Sequence, residues 1–273
     1  MIETILVATD GSEAAASGET FAAKLGARLR ARMAGFTVVE DRDIRAPSAD
    51  GLALPSYPEA ELLNYYRARA EAAGRRLGER ARAEGLEATF ETAQGAADDR
   101  INERAQGVDL IVLGRDGKHA PMRSALIGST VSSVARKTNK PTLIVPAGAA
   151  LSGPIVLGFD GSPGSRVAAG VAVQLANGLG EGVHVFVDSK DKGRAVARFD
   201  EVRQIVGGLS VPVRETSSTL GRPDVKLVDT GKEARASLIV MGAYGRNRIT
   251  EYFLGSNAAA VARTSPTAVL LAR

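Results

Sequence analysis

The sequence predicts two α/β domains in tandem, each a doubly wound, five-stranded and mostly parallel sheet flanked by helices. One observation is an internal repeat: ILVATDGSEAA at 5–15 returns as IVLGFDGSPGS at 155–165, and DLIVLGRDG at 109–117 returns as SLIVMGAYG at 237–245. Another is the alternation, within each half, of short apolar runs with longer amphipathic ones, which is typical of a parallel sheet wound with helices. Length agrees, because 273 residues suit about two domains.

A further repeat ends each half and marks the domain boundary. LIGSTVSSVARKTNKPTLIVPA at 126–147 returns as FLGSNAAAVARTSPTAVLLA at 253–272, so the motifs keep their order. Between the halves lies PAGAALSGP at 146–154, a small-residue stretch with Pro and Gly that is typical of a linker. We therefore predict domains of residues 1–150 and 151–273.

The first half contains an insertion. Asp10 and Gly114 are 104 residues apart, whereas the equivalent Asp160 and Gly242 are only 82 apart. We place the excess in RDIRAPSADGLALPSYPEAE at 42–61, whose early part is irregular because of its prolines. The insertion is either a surface excursion or a lid over a site.

Each half has five strand candidates. Most are β-branched and apolar, which suits strands buried on both faces of a parallel sheet. The candidates are Ile5–Thr9, Phe36–Val39, Glu87–Thr92, Leu110–Leu113, Thr142–Val145, Ile155–Phe159, Val183–Val187, Val211–Glu215, Leu238–Met241 and Thr267–Leu271.

Helices are predicted between the strands. Ser12–Leu29 follows the first strand, and Ser162 with Pro163 begins the matching helix as cap and first helical residue. A long helix is predicted over Glu59–Glu84. Its apolar face consists of Leu62, Tyr66, Ala70, Ala73 and Leu77.

Composition excludes several classes of protein. The chain has no cysteine, so disulfides, thiolate metal sites and a cysteine nucleophile are excluded. The net charge is only +4 and Arg alternates with Glu, so we expect no nucleic-acid partner. MIETILVATD does not resemble a signal peptide, and no apolar run approaches the roughly 18 residues that span a membrane. We therefore expect a cytoplasmic protein without a membrane partner.

A glycine pattern follows the fourth strand of the second half. Gly242, Gly245, Gly255 and Ser256 form Gly-x2-Gly-x9-Gly-Ser. Parallel sheets bind ligands at the carboxyl ends of their strands, glycine lets a ligand approach the backbone, and a helix that begins at Gly-Ser presents N–H groups to phosphate. Asp160, at the end of the first strand, is placed to accept hydrogen bonds from a ribose or base. The pattern favours an adenosine polyphosphate, and it is not a P-loop because no Gly-Lys-Ser/Thr follows a first strand.

The first half departs from this spacing. Gly114 and Gly117 are present, but ten residues rather than nine separate Gly117 from Gly128 and Ser129. One extra residue is expected to bulge from KHAPMRSALI, near Pro121. Such an insertion in a loop can be accommodated, so we expect a site in this half as well.

These motifs resemble the universal stress protein family in its tandem form. The resemblance covers essentially the whole chain, twice, and implies a regulatory protein of the stress response that binds ATP, with or without Mg²⁺, and lacks strong intrinsic chemistry. It implies a second-half site made of Asp160, Phe186 or its neighbour near the adenine, Met241, Gly242, Gly245, Gly255, Ser256 and Asn257. The corresponding first-half site is Asp10, Val38, Leu113, Gly114, Gly117, Gly128, Ser129 and Thr130.

The resemblance also bears on partners. It implies that the last strands, 142–145 and 267–271, meet, so that the halves pack as an intramolecular pseudo-dimer. It leaves room for two chains to associate further as a homodimer, and ATP would order the glycine loops for an unidentified protein partner.

Alternatives stay open at this point. Asp10 and Asp160 can serve only as caps of the Gly-Ser turns. The loop cations Lys118, Arg123, Arg246 and Arg248 either contact phosphates or are solvated. A slow ATP hydrolase or nucleotidyl transferase, with Asp116 as its candidate carboxylate, and a nucleotide-free scaffold whose glycines serve tight turns are the rival functions.

Overall fold

The computed structural model describes residues 2–40, 59–116, 128–244 and 254–273. Its strands are β1 (Thr4–Ala8), β2 (Arg32–Val39), β3 (Ala88–Gln94), β4 (Leu110–Gly114), β5 (Thr142–Val145), β6 (Ile155–Gly158), β7 (Val183–Asp188), β8 (Val213–Ser218), β9 (Leu238–Gly242) and β10 (Ala268–Ala272). Its helices are α1 (Ala16–Leu29), α2 (Glu59–Ala83), α3 (Ala97–Arg104), α4 (Ser129–Lys137), α5 (Pro163–Leu179), α6 (Lys192–Val206), α7 (Pro223–Glu233) and α8 (Ser256–Thr264), with a 3₁₀ turn at Ala105–Gly107.

All ten strands belong to one sheet, in the order β3-β2-β1-β4-β5-β10-β9-β6-β7-β8. Within each half the five strands are parallel, and the halves are joined where β5 and β10 pair antiparallel. Val269 lies opposite Ile144 and Leu270 opposite Leu143. The prediction of two doubly wound halves is confirmed, and their last strands meet as expected.

Helices cover both faces of the sheet. One apolar cluster contains residues of α1, α2, α5 and α6 and runs through both halves, from Ile5 and Phe21 to Ile155 and Leu175. The other contains residues of the 3₁₀ turn and of α3, α4, α7 and α8. β-branched and leucine side chains of the central strands belong to both clusters. The central strands are therefore buried on both faces, as predicted.

The two outer strands differ from the prediction. In β3 and β8 most side chains are exposed or half-buried, because each strand has a neighbour on one side only. Their content of Thr, Glu, Ser and Arg suits such an edge. The expectation of burial on both faces is therefore wrong for β3 and β8.

The two first helices also begin differently. α5 begins at Pro163 with Ser162 as its cap, and Ser162 Oγ accepts the Ser165 N–H at 3.2 Å. α1 begins at Ala16 rather than at the predicted Ser12. On α2 the predicted apolar face is buried at Ala70, Ala73 and Leu77 and half-buried at Leu62 and Tyr66.

Several predicted features lie outside the described residues. They are the insertion at 42–61 apart from its last three residues, which belong to α2, and Gly117, Lys118, Pro121, Arg123, Gly245, Arg246 and Arg248. Among the helices that are described, none is both long and apolar enough to cross a membrane.

Candidate functional site

A cleft lies at the carboxyl ends of the second-half strands. Its volume is about 480 Å³. It sits beside β6 and β9, where the strand order reverses: β7 and β8 lie on one side of β6, and β9 and β10 on the other. This reversal point is where open α/β sheets bind their ligands.

The structure brings together most of the second-half residues that the sequence singled out. All of the following line the cleft: Asp160, Phe186, Met241, Gly242, Gly255, Ser256 and Asn257. They come from the ends of β6, β7 and β9 and from the start of α8. Gly245 lies outside the described ranges.

Apolar side chains form one wall of the cleft. Phe186 of β7 and Leu227 of α7 are buried in the same apolar cluster, with exposed fractions of 4% and 3%. Met241 and Tyr244 are partly buried and pack against that cluster. This wall is suited to a flat, apolar ring.

The Asp-Gly-Ser turns have the same geometry in both halves. Asp160 Oδ1 accepts the Ser162 N–H at 2.9 Å, and Asp10 Oδ1 accepts the Ser12 N–H at 2.9 Å. The intervening glycine is left-handed, with φ 74° at Gly161. The capping alternative is therefore part of the explanation for both aspartates, and Asp160 in addition faces the cleft.

The start of α8 forms the polar wall. Gly255 is its cap residue, with φ −55° and ψ 139°, and a glycine has no side chain with which to cap the helix. The first helical N–H groups, at Ser256, Asn257 and Ala258, have no acceptor within the helix, because the i−4 carbonyls precede it. All three residues line the cleft, and the first turn carries no acidic residue. Such a helix start attracts an anion.

Gly242 is explained by helix packing. Its backbone is not left-handed. A Cβ at this position would lie 2.8 Å from the Gly164 carbonyl carbon and 2.9 Å from the Ser165 nitrogen. Gly114 has the same role, because its Cβ would lie 3.0 Å from Ala15 Cα. Packing against α5 and against the N-cap residue of α1 therefore requires glycine at these positions, whether or not a ligand approaches Gly242, which also lines the cleft.

Sequence reasoning missed Asp188 and Arg198, which also line the cleft. Arg198 of α6 is buried, with an exposed fraction of 8%, and its Nη1 donates to the Asp188 carbonyl oxygen at 2.7 Å. Alternation along β7 puts Asp188 on the same face as Phe186, and that signal could have found it. No motif points to Arg198, because α6 approaches the site only in the fold.

Strand register relates the two halves position by position. Ala8 pairs with Phe36, and Gly158 pairs with Phe186, so Phe36 is the counterpart of Phe186. Two residues further along the strands, Val38 is the counterpart of Asp188.

The first-half residues occupy the equivalent strand and helix ends. Leu113 and Gly114 end β4, Asp10 follows β1, and Ser129 and Thr130 begin α4. Gly128 caps α4 with φ −51° and ψ 139°, close to the values at Gly255.

The base of the glycine loop is also closed alike in the two halves. The Gly128 N–H donates to the Arg115 carbonyl at 3.4 Å, as Gly255 donates to Ala243 at 2.9 Å. The extra residue of the first half therefore leaves the base of its loop unchanged.

Within the described part of the chain, no group of three or more His, Cys, Asp or Glu side chains is placed to hold a metal ion.

Fold and cleft together define a tandem, doubly wound α/β protein with a candidate ligand cleft at the strand ends of its second half. The family model described as "Universal stress protein family" matches residues 1–146 and 152–273. The chain therefore belongs to the universal stress protein family.

Individual relatives agree with this assignment. A universal stress protein of Mycobacterium tuberculosis is 31% identical over 192 residues, which cover 63% of this chain and 64% of the relative's length. One from Synechocystis is 22% identical over 298 residues and the full length of both chains. Among solved structures, a universal stress protein from Archaeoglobus fulgidus has a TM-score of 0.78 at 19% identity and covers 99% of this chain and 98% of its own; at that identity it shows the fold alone.

Proposed function

We propose that the protein binds ATP in the second-half cleft and, at the equivalent place, in the first half, and that it acts as a regulatory protein of the stress response. The observation that carries the proposal is the meeting, in one cleft, of an apolar wall and a helix start whose cap residue is a glycine. A nucleotide needs both, because its base is flat and apolar and its phosphates are anionic.

The residues present fit this ligand. A volume of about 480 Å³ lies within the usual range for small-molecule sites, roughly 300–1,000 Å³. The phosphates would lie at Ser256 and Asn257, the base against Phe186, and the ribose near Asp160. Mg²⁺ would be held mainly by phosphate oxygens and water, as is usual for nucleotide-bound magnesium.

The enzyme alternative has less support. Asp116, its candidate carboxylate, accepts from the Arg115 guanidinium at 3.3 Å. Counting from the equivalent Gly114 and Gly242, the second-half counterpart of Asp116 is Tyr244, which is not a carboxylate. A binding protein whose loops respond to nucleotide accounts for both halves, whereas a hydrolase built on Asp116 accounts for one.

Gly255→Asp tests the proposal. The backbone at Gly255 suits any residue, and Asp is a favoured cap, so α8 should remain at least as stable. The new carboxylate would repel phosphates from the helix start. We expect the ATP affinity of the second site to fall about tenfold or more, measured by calorimetry.

Gly128→Asp is the matched variant in the first half. A Cβ there would lie 3.4 Å from the Arg115 carbonyl oxygen, an ordinary contact. We expect the number of tight ATP sites per chain to fall from two to one in either variant, and to none in the double variant, while the altered site still binds weakly. The proposal fails if the purified protein releases no adenine nucleotide on denaturation and shows no heat of ATP binding. Steady phosphate release with Mg²⁺, lost in the double variant, would favour the hydrolase.

A further inference from the structure

Asp188 places a carboxylate at the apolar end of the cleft. It ends β7, two residues after Phe186, so both side chains lie on the same face of the sheet. Both residues line the cleft, and so does Leu227 of α7. Arg198 of α6 also lines the cleft, so a polar group accompanies the apolar wall at this place.

One oxygen of this carboxylate lacks a hydrogen-bond partner. Asp188 Oδ1 is buried, and no group in the described part of the chain donates to it. The nearby Arg198 guanidinium donates through Nη1 to the main-chain carbonyl of Asp188, at 2.7 Å. Buried polar atoms without partners are rare in native proteins, and each calls for an explanation. A ligand that fills the cleft would supply one.

We propose that Asp188 selects the base at the second site by accepting a hydrogen bond from the exocyclic 6-amino group of adenine. This inference rests on the proposed function. Adenine presents an amino donor at that edge and a flat ring to Phe186 and Leu227. Guanine presents an oxygen there, which a carboxylate repels.

The first half provides an internal contrast. Val38 is the counterpart of Asp188 by strand register, and a valine side chain accepts no hydrogen bond. The two sites therefore differ in how their side chains recognise a base. The second site offers the Asp188 carboxylate to an amino group of the base, whereas the first site has no side-chain acceptor at the equivalent Val38.

The experiment uses the Gly128→Asp chain, in which only the second site is expected to bind. Calorimetry compares ATP with purine riboside triphosphate, which lacks only the 6-amino group. We expect ATP to bind about tenfold more tightly or better, because hydrogen bonds to charged groups are strong and an unfilled buried acceptor is penalised. Asp188→Val, which installs the first-half residue, should reduce this preference to less than about threefold.

A conservative variant separates recognition from folding. Asp188→Asn keeps an oxygen acceptor and should keep the preference for ATP, while thermal unfolding verifies that all variants fold. If ATP binds and Asp188→Val leaves the preference unchanged, this inference is wrong and the proposed function stands. GTP, whose N1–H and 2-amino group can both donate to one carboxylate, would overturn the adenine assignment by binding more tightly than ATP. If neither nucleotide binds to the Gly128→Asp chain or to the wild-type chain, the proposed function itself fails.

Discussion

The two halves place different chemistry at equivalent positions behind the Asp-Gly-Ser turn. In the first half Thr9 Oγ1 donates to Glu19 at 2.6 Å, and Glu19, whose side chain is 1% exposed, forms an ion pair with Arg80 of α2. In the second half the counterparts of Thr9 and Glu19 are Phe159 and Ala169, both buried. One fold therefore accepts either a buried carboxylate paired with a partly exposed arginine or apolar packing at this place.

The difference extends to the turn itself. In the first half, Arg76 of α2 donates to the Gly11 carbonyl at 2.5 Å, and a Cβ on Gly11 would lie 3.0 Å from Ala73 Cβ. α2 thus holds the first turn through side chains. In the second half the turn borders the cleft through Asp160 and Ser162. The polar contacts of the first half hold a helix in place, and the fold itself comes from the apolar pattern that both halves share.

The largest effect is expected from Arg80→Ala. The change leaves the Glu19 carboxylate buried without its counter-charge, and removing one partner of a buried pair costs about 3–5 kcal/mol. We expect the free energy of unfolding, measured in urea, to fall by about that amount.

The double variant Arg80→Ala/Glu19→Ala is the control. It removes both charges and reproduces the Ala169 of the second half, so we expect it to recover much of the lost stability. A double variant as unstable as Arg80→Ala would show that packing, and not the unpaired carboxylate, sets the cost.

Across the sheet the halves hold each other by contacts from two neighbouring, non-equivalent positions, one just after β4 and one just after β9. Arg115, which follows β4, donates to the carbonyls of Ser265 at 2.8 Å and Arg263 at 3.3 Å, at the end of α8. Tyr244, which follows β9, donates to the Arg136 carbonyl at 3.4 Å, near the end of α4. Arg136 and Arg263 are themselves counterparts, eight residues after Gly128 and Gly255. Each loop base is thus tied to the far end of the other half's candidate phosphate helix.

These contacts should contribute unequally to stability. Arg115→Ala removes charge-assisted bonds to two carbonyls and should lower the free energy of unfolding by about 1.5–3 kcal/mol. Tyr244→Phe removes one hydroxyl and should lower it by about 1 kcal/mol. Arg263→Ala is the control, because it keeps the carbonyl that Arg115 contacts. If Arg115→Ala and Arg263→Ala lowered the free energy of unfolding equally, the stabilising role given to the Arg115 side chain would be wrong.

Most of the fold could be predicted because it depends on local patterns. Thr142–Val145 was predicted to the residue, since a β-branched apolar run between Pro and Pro leaves little choice. The predicted start of α1 at Ser12 is wrong, because Ser12 Oγ accepts the Ala15 N–H at 3.2 Å in a turn that precedes the helix. The edge positions of β3 and β8 depend on strand order, and the polar composition of these two strands is the local signal that could have indicated them.

The candidate site was predictable only in part, for a similar reason. Asp160 and the Gly-Ser start of α8 form motifs that repeat along the chain. Asp188 and Arg198 do not repeat: they come from β7 and α6 and meet the motif residues only after folding. The role of Gly242 was also hidden, because the Gly164 backbone that requires it is 78 positions away.

The smallest effect concerns His184 of β7, whose first-half counterpart is Ala34. Burial, together with the nearby positive charge of Arg214, lowers the pKa of His184 from its ordinary value of 6.5, although Glu233 acts in the opposite direction. The unfolded chain therefore binds this proton more readily than the folded one. The stability that neutral His184 provides is complete above pH 6.5 and is lost as the pH falls through the lower folded pKa.

We expect His184→Ala, the first-half residue, to flatten this dependence. Between pH 8 and about pH 5 the wild-type chain should lose more unfolding free energy than the variant, by under about 1 kcal/mol, because solvent screens a half-exposed imidazole. Urea unfolding at several pH values measures the difference. Because Nε2 of His184 also contacts Thr216 Oγ1 at 2.6 Å, His184→Gln is the better control for the lost hydrogen bond. If the unfolding free energy of both variants fell more steeply with acid than that of the wild-type chain, His184 would be charged in the folded protein and this prediction would be wrong.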